Sequence, residues 1–308
     1  MFDIDTPVIH IGFPKTGSTT LQDHFFDYLP NTGILGQPQS RLNKDIQQII
    51  HALTDCETLE FDEEKIKGEI DHIFSGTRVV VSEETFSTGS SLSGRVSRYE
   101  IAHRLKSLFP NAKVVVVIRE QKSIIKSFYL QSRKINKGAC PDFNDWFTEA
   151  AENTHKENVF QYFHYGKIIE VYEKLFGPEN IKVVLFEEFV NSRASFFEEL
   201  LRFMNYEPSS ETNKVLTGLA TAHANQSLTD RQELFFRLRP YLQPLIKMLS
   251  KNVKQGMMGF LQKGKNLELE LNEEQKKMVF NLYASGNTEL MKNYKLPLEK
   301  YNYSLGEG

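Results

Sequence analysis

The sequence predicts an α/β protein, a P-loop-like three-layer fold with a central parallel sheet and a helical C-terminal region, and three observations carry that expectation. Short Val/Ile-rich runs recur along the chain, each later one is reached through a segment of helical periodicity, and a glycine-containing loop joins the first run to the first helix. PVIHIGF is the first strand, followed by the loop PKTGSTT and by Leu21, Phe25, Phe26 and Leu29 at helical spacing. The helical DEEKIKGEIDHIF leads into a second strand in TRVVVSEET. SRYEIAHRLKSLF is a helix that Pro110 and Asn111 end before a third strand, AKVVVVIRE. YFHYGKIIEVYEKLFG, closed by Gly177 and Pro178, precedes the fourth, IKVVLFEEF. Strands this uniformly apolar belong in a parallel sheet buried on both faces.

Beyond about residue 218 helices and polar connectors take over. LTDRQELFFRLRPYLQPLIKML is amphipathic and is expected to break at Pro240 and Pro244, while NEEQKKMVFNLYASGNTELMKNY opens with a good cap. With neither a repeat nor a low-complexity linker, the expectation is one domain over 1–308. Its α/β core runs to about 218, and its helical region covers about 219–308.

The 37 basic and 40 acidic residues leave a net charge of −3, which gives no reason to expect nucleic acid or a membrane as partner of the whole molecule. Cys56 and Cys140 are unrelated in spacing and read as two buried structural thiols in a reducing compartment, with neither a disulfide framework nor a cysteine metal site. The opening MFDIDTPVIHIG lacks a basic leader, and no long apolar run occurs. The reading is a soluble cytoplasmic protein without a membrane span.

Ligands of parallel α/β sheets bind outside the carboxyl ends of the strands, and three such ends carry polar clusters: PKTGSTT, SEETFS and REQKS. In the first, Gly12 and Gly17 have the spacing of the nucleotide loop GxxxxGK[ST], yet Ser18 stands where the lysine belongs and Lys15 lies inside the loop. Turn amides, the positive end of a helix starting near Ser18, and donors on Lys15, Ser18, Thr19 and Thr20 make this an anion cradle. An ordinary capped strand–helix turn is the plainer alternative. A nucleoside triphosphatase needs its lysine and next hydroxyl for the β/γ-phosphates and Mg²⁺, and the loop supplies neither in place. At the third end Arg119 projects at the rim of a buried strand, where a guanidinium suits bidentate phosphate recognition. Lys122, Lys126, Arg133, Lys134 and Lys137 make the segment after Arg119 basic, and a solvated helix face accounts for most of them.

Taken together these residues resemble the PAPS-dependent sulfotransferases, which use 3′-phosphoadenosine 5′-phosphosulfate. The resemblance implies that the PKTGSTT loop, Pro14, Lys15, Thr16, Gly17, Ser18, Thr19 and Thr20, holds the 5′-phosphosulfate, and that Arg119 with Ser127 eight residues later, extended by Tyr129 in SFY, holds the 3′-phosphate. Weaker similarity extends to LFPNAKVVVVIR, VVLFEEF and GNTELMKNYKL. Gln121, where many members have proline, is similar to the variant in bacterial carbohydrate-type sulfotransferases, which implies a hydroxyl acceptor on a carbohydrate or glycolipid. The donor would be PAPS and the product PAP, with no metal required; the displaced lysine fits a phosphosulfate ligand. Family members place a catalytic histidine or glutamate after the strand that here ends in SEE, so Glu83 is the expected base and Glu84 the second choice, with Lys15 stabilising the leaving oxygens. Exposed loop acids are the alternative reading of that pair.

His10, within a strand, reads as a core histidine, while His103 and His223, the latter near Asn225 and Ser227, receive no role. Trp146 and the phenylalanines could stack an adenine but read more simply as core. Two other function classes stay open at this point. A P-loop kinase for a small metabolite would show ATP–Mg²⁺ binding, and a non-catalytic nucleotide-binding scaffold would leave Glu83, Lys15 and Arg119 scattered.

Overall fold

The computed structural model describes residues 6–89, 96–136, 141–153, 159–207, 209–220 and 229–306. Its strands are β1 (Val8–Gly12), β2 (Thr32–Gly36), β3 (Arg78–Glu83), β4 (Lys113–Ile118) and β5 (Ile181–Leu185). The first helix begins as α1 (Ser18–Thr20) and continues through a π-helical turn, Leu21–Phe25, and a 3₁₀ turn, Phe26–Tyr28. Then come α2 (Lys44–Thr54), α3 (Glu63–Ile73), α4 (Thr85–Thr88), α5 (Arg98–Leu108), α6 (Gln121–Asn136), α7 (Phe143–Glu152), α8 (Val159–Tyr162) and α9 (Tyr165–Phe176). After β5 the chain is helical: α10 (Phe186–Asn191), α11 (Arg193–Phe203), α12 (Ser210–Ala220), α13 (Asp230–Met248), α14 (Lys251–Gln262) and α15 (Glu273–Tyr294).

The five strands form one parallel sheet in the order β2-β3-β1-β4-β5. Alternate residues of each strand feed the two sides of it. Ile9, Ile11, Val81, Val114 and Val116 pack with residues of α2, α3, α5 and α9. Val8, Val80, Val115, Val117 and Val184 pack with Leu21, Phe25, Phe197 and Leu200 on the other side. Each such side chain withdrawn from water contributes roughly 1.5–3 kcal/mol, which makes this double-faced sheet the rigid frame from which the loops project.

Four of the five strands are those the sequence predicts, and β2 is the exception. The run is interrupted by Gly33 and Gly36, which breaks the apolar pattern a strand normally shows. Both glycines answer to close packing. A Cβ on Gly33 would meet the Phe74 ring at 2.3 Å, and one on Gly36, at φ +131°, would meet the Ser82 carbonyl oxygen at 2.2 Å.

A second correction concerns α13, which runs unbroken through Pro240 and Pro244. Each proline removes one ladder bond, but the start of the helix is held by a capping box between Thr229 and Gln232 and by the ion pair of Glu233 with Arg133 of α6. Arg133 is therefore buried and paired, and not part of a solvated face. The thiol expectation also changes, because Cys56 is only half-buried and its Sγ lies 3.5 Å from the Glu57 carbonyl. Cys140, His223, Asn225, Ser227 and Lys137 lie outside the described residues.

The start of α6 is fixed by Glu120, whose two carboxylate oxygens accept from the amides of Lys122 and Ser123, each at 2.9 Å. Gln121 then makes a buried reciprocal amide pair with Asn287 of α15, at 2.8 and 3.0 Å, and Asn287 also donates to the Ser304 carbonyl. That pairing gives the glutamine a structural reason for standing where proline is common. It ties the core to the C-terminal helix, whose cap is a capping box of Asn272 and Gln275.

Candidate active site

The strands carrying the three polar clusters are neighbours, β3-β1-β4, so their carboxyl ends open onto one rim. After β1 the chain turns through Lys15, at φ +70°, and Gly17, at φ +83°, before the helix starts at Ser18. A left-handed lysine is strained by about 1 kcal/mol or more, and such residues cluster at binding sites. Gly17 is fixed there by both its conformation and its neighbours, since a Cβ would meet the Phe189 ring at 3.1 Å.

The loop folds onto the carbonyl of Phe13, which accepts from the Thr16 hydroxyl at 2.6 Å, the Thr16 amide at 3.3 Å and the Ser18 hydroxyl at 3.2 Å. The amides of Lys15, Gly17, Ser18 and Thr19 make no hydrogen bond among the described residues. Pro14 is buried beneath the loop, Thr19 is exposed and Thr20 half-buried. Uncommitted N–H groups at the positive end of a helix, beside an ammonium, suit a tetrahedral oxyanion.

Arg119, at the end of β4, donates from Nη1 to the carbonyl oxygen of Lys15 at 2.9 Å, across 104 residues of sequence. Its guanidinium lies over the Phe186 ring, 4.5 Å from the centroid. Burial lowers its pKa, and Glu187 is the strongest opposing charge; an arginine stays protonated regardless. The Lys15 pKa is likewise lowered by burial and by the charges of Arg119 and Lys134, with Glu84 pulling it back up. Lys122 is spent on Glu120 and on the Asn302 carbonyl. Ser127 is half-buried on α6, and its hydroxyl makes no hydrogen bond among the described residues.

The acids of SEE end β3 level with the loop, Glu83 standing opposite Ile11 of β1. Neither is an exposed loop acid. Glu83 is 8% exposed, its Oε1 accepts from Gln37 Nε2 at 3.3 Å, and burial pushes its carboxyl up to about 7. Glu84 is also raised by burial, while the Ser18 hydroxyl and the charges of Lys15 and Arg41 hold it back. Ser87 ties this segment to the end of β1 by donating to the Gly12 carbonyl at 3.0 Å. The rim thus presents a cation, a near-neutral carboxyl and a second carboxyl within one frame.

Several supporting residues escaped sequence reasoning. Gln37 and Arg41 follow the missed strand β2. Phe186 and Glu187 belong to the FEEF expected as the end of the fourth strand, but β5 stops at Leu185 and FEEF opens α10. Glu187 accepts from the Glu120 amide at 2.9 Å and from the Tyr303 hydroxyl at 3.1 Å, and the buried Tyr165 hydroxyl donates to the Arg119 carbonyl at 2.7 Å. His10 is a core residue beneath the site: fully buried, with Nδ1 2.8 Å from Ser82 Oγ and its pKa lowered to about 3 by burial. His103 is exposed, and Trp146 packs on Phe143 and Tyr129 away from the loop residues.

A sulfotransferase from Alicyclobacillus acidocaldarius shares the fold at a TM-score of 0.57 and 12% identity, over 96% of this chain and 98% of that one. The sulfotransferase domain of the curacin biosynthetic pathway aligns at 0.44 and 13% identity, over 90% of this chain and 98% of that one. A mouse sulfotransferase in complex with PAP aligns at 0.43 and 12% identity, over 83% and 82%. No curated protein matches. A family model, the sulfotransferase domain, matches residues 5–227. That match covers well over half of the 308 residues, so the chain belongs to the sulfotransferase family and is a PAPS-dependent sulfotransferase.

Proposed function

We propose that Pro14–Thr20 hold the 5′-phosphosulfate of PAPS, that Arg119 and Ser127 hold its 3′-phosphate, and that Glu83 removes the proton from an acceptor hydroxyl on a carbohydrate or glycolipid. The observation that carries this reading is the contact of Arg119 with the Lys15 carbonyl, which brings the end of β4 onto the loop that follows β1, while Glu83 ends the neighbouring strand β3. As the acceptor oxygen forms its bond to sulfur, the bond from sulfur to the bridging phosphate oxygen breaks. The electron pair stays on that oxygen next to Lys15, and the proton passes to Glu83. A carboxyl with a pKa near 7 is matched to accept a proton at neutral pH. Glu84, closer in charge to Lys15 and Ser18, is the competing base.

The whole chain, 1–308, is taken as one functional domain, supported by the Gln121–Asn287 pair between core and C-terminal helix. A cytoplasmic setting draws its support from the two unrelated cysteines. No metal is assigned a part.

The test is a mass-detected transfer screen with PAPS against sugars, glycolipids and phenols, run beside thermal shifts with PAP in chelator and with ATP–Mg²⁺. A PAP shift without metal and sulfation of a carbohydrate hydroxyl are expected; at a hundredfold excess over Kd the stabilisation is about 2.7 kcal/mol. A shift with ATP–Mg²⁺ alone contradicts the donor assignment, and transfer only to phenols contradicts the acceptor class.

A further inference from the structure

The hairpin formed by α13 and α14 leaves an apolar face uncovered. Leu234, Leu238, Tyr241, Leu245 and Met248 recur every three or four residues, so they share one side of α13, and they are 44–85% exposed. Phe260 of α14 adds a ring that is 59% exposed. The opposite side of α13 is seated in the protein through the buried Phe236 and the Glu233–Arg133 ion pair. Single exposed apolar side chains are ordinary on a protein surface; five in register on one helix mark an interaction site.

The charge of the same segment is just as unusual. Residues 229–265 contain eight lysines and arginines and two acids, a net of +6, so the remainder of a chain carrying −3 in all holds −9. Arg231 and Arg237 fall one step to either side of the apolar stripe, and both are exposed. One of the two acids, Glu233, is already paired with Arg133.

We propose that the α13–α14 hairpin is a docking surface for an anionic lipid bilayer and lies in its interface. A basic helix with an exposed apolar stripe and aromatic rings has the chemistry for which such an interface is the matching partner: lipid headgroups take the charge, and the acyl boundary takes the stripe. A second copy of this chain would bring two segments of +6 together. A nucleic acid would satisfy the charge but leave the leucines and Tyr241 in water. Among the described residues no helix is long and apolar enough to cross a membrane, which fits lying on the bilayer over spanning it. Docking does not depend on sulfuryl transfer. Its consequence for the acceptor does rest on the proposed function: the Glu233–Arg133 pair joins α13 to the helix that carries Ser127 and Lys134, so a docked hairpin brings the donor rim to hydroxyls borne by membrane lipids.

The experiment is co-sedimentation of the full chain with vesicles of phosphatidylcholine alone or of phosphatidylcholine mixed with phosphatidylglycerol, at low and raised salt. Partition onto the anionic vesicles is expected to exceed that onto neutral ones by about tenfold or more, and to fall with salt. Tyr241→Ser with Leu245→Ser, and separately Arg237→Gln with Lys247→Gln, are each expected to lower it by about tenfold. Both variants should keep the wild-type melting temperature and PAP affinity, so that a docking defect is distinguished from failure of the fold or of the donor site. Equal partition onto both vesicles, partition onto neither, or variants that bind like wild type overturn the proposal. So does a lipid-free dimer, seen by analytical ultracentrifugation, that the Tyr241→Ser/Leu245→Ser change dissolves; that result gives the face to a second copy.

Discussion

The donor rim and the α13–α14 hairpin both gather positive charge, and they hold it in opposite ways. At the rim Lys15 is half-buried within reach of the charges of Arg119 and Glu84, and Arg119 is pinned between the Lys15 carbonyl and the Phe186 ring. On the hairpin Arg237 and Lys247 are exposed, with no side-chain hydrogen bond or ion pair among the described residues. A partly desolvated charge in a fixed frame reads one anion with defined geometry, whereas exposed charges give a diffuse attraction that salt screens. The difference separates recognition of a small doubly phosphorylated donor from adhesion to an extended surface.

The comparison is broken most severely at Glu83. If Glu83 is the base as proposed, Glu83→Gln is expected to lower single-turnover transfer by roughly 10²–10⁴-fold while leaving PAP affinity close to wild type, because the change removes the proton acceptor and none of the proposed donor contacts. Glu84→Gln, made beside it, is expected to be the milder change. If Glu84→Gln alone abolishes transfer, the base sits one residue further on.

The buried carboxyl also makes two statements about pH. Protonated Glu83 cannot act as a base, so transfer should rise through pH 7 and level off above it, and Glu83→Gln should remove that rise. For stability the sign is set by a folded pKa raised from 4.5 to about 7 by burial. The contribution of this group is fully present below pH 4.5 and is lost as pH rises through 7, because the unfolded chain ionises it more readily. Urea denaturation at pH 8 should then show Glu83→Gln more stable than wild type by on the order of 1–3 kcal/mol, with little difference at pH 4. A variant equally stable or weaker at pH 8 would mean that the carboxyl is better solvated than its burial indicates.

Neutral anchors should respond less. Gln121→Ala leaves Asn287 buried with its amide pairing broken, at a cost of about 1–3 kcal/mol by chemical denaturation, and Gln121→Leu combined with Asn287→Leu should cost less than the two single changes summed. Additive losses would show that the two amides act independently. Smallest of all, Tyr241→Ser on the exposed stripe should change stability by no more than about 0.5 kcal/mol. A larger loss would place that ring inside the fold and remove the contrast between the two regions.

The frame of this molecule was readable because continuous Val/Ile runs have few other places to go than a doubly covered sheet. Glu83 and Arg119 stand out because each ends such a run, and Lys15 because it lies inside the loop spaced by Gly12 and Gly17. What stayed hidden depends on distance in space. β2 is concealed by Gly33 and Gly36, present to admit Phe74 and the Ser82 carbonyl, and with it went Gln37 and Arg41 beside the acids. Phe186 and Glu187 carry no local sign that they brace an arginine many residues upstream. The pairing of Arg133 with Glu233 and the passage of α13 through two prolines are likewise tertiary facts, where packing overrides a local preference.

Isothermal titration of PAP and of adenosine 5′-phosphate, in chelator, against wild type and Arg119→Ala tests the two-phosphate donor site most directly. Wild type should prefer PAP. Removing the guanidinium should weaken PAP by about 1.5–3 kcal/mol more than adenosine 5′-phosphate, since the 3′-phosphate loses a charge-assisted partner while both nucleotides share the loss of the bond to the Lys15 carbonyl. Equal losses for both nucleotides, or PAP binding that appears only with Mg²⁺, would contradict the account.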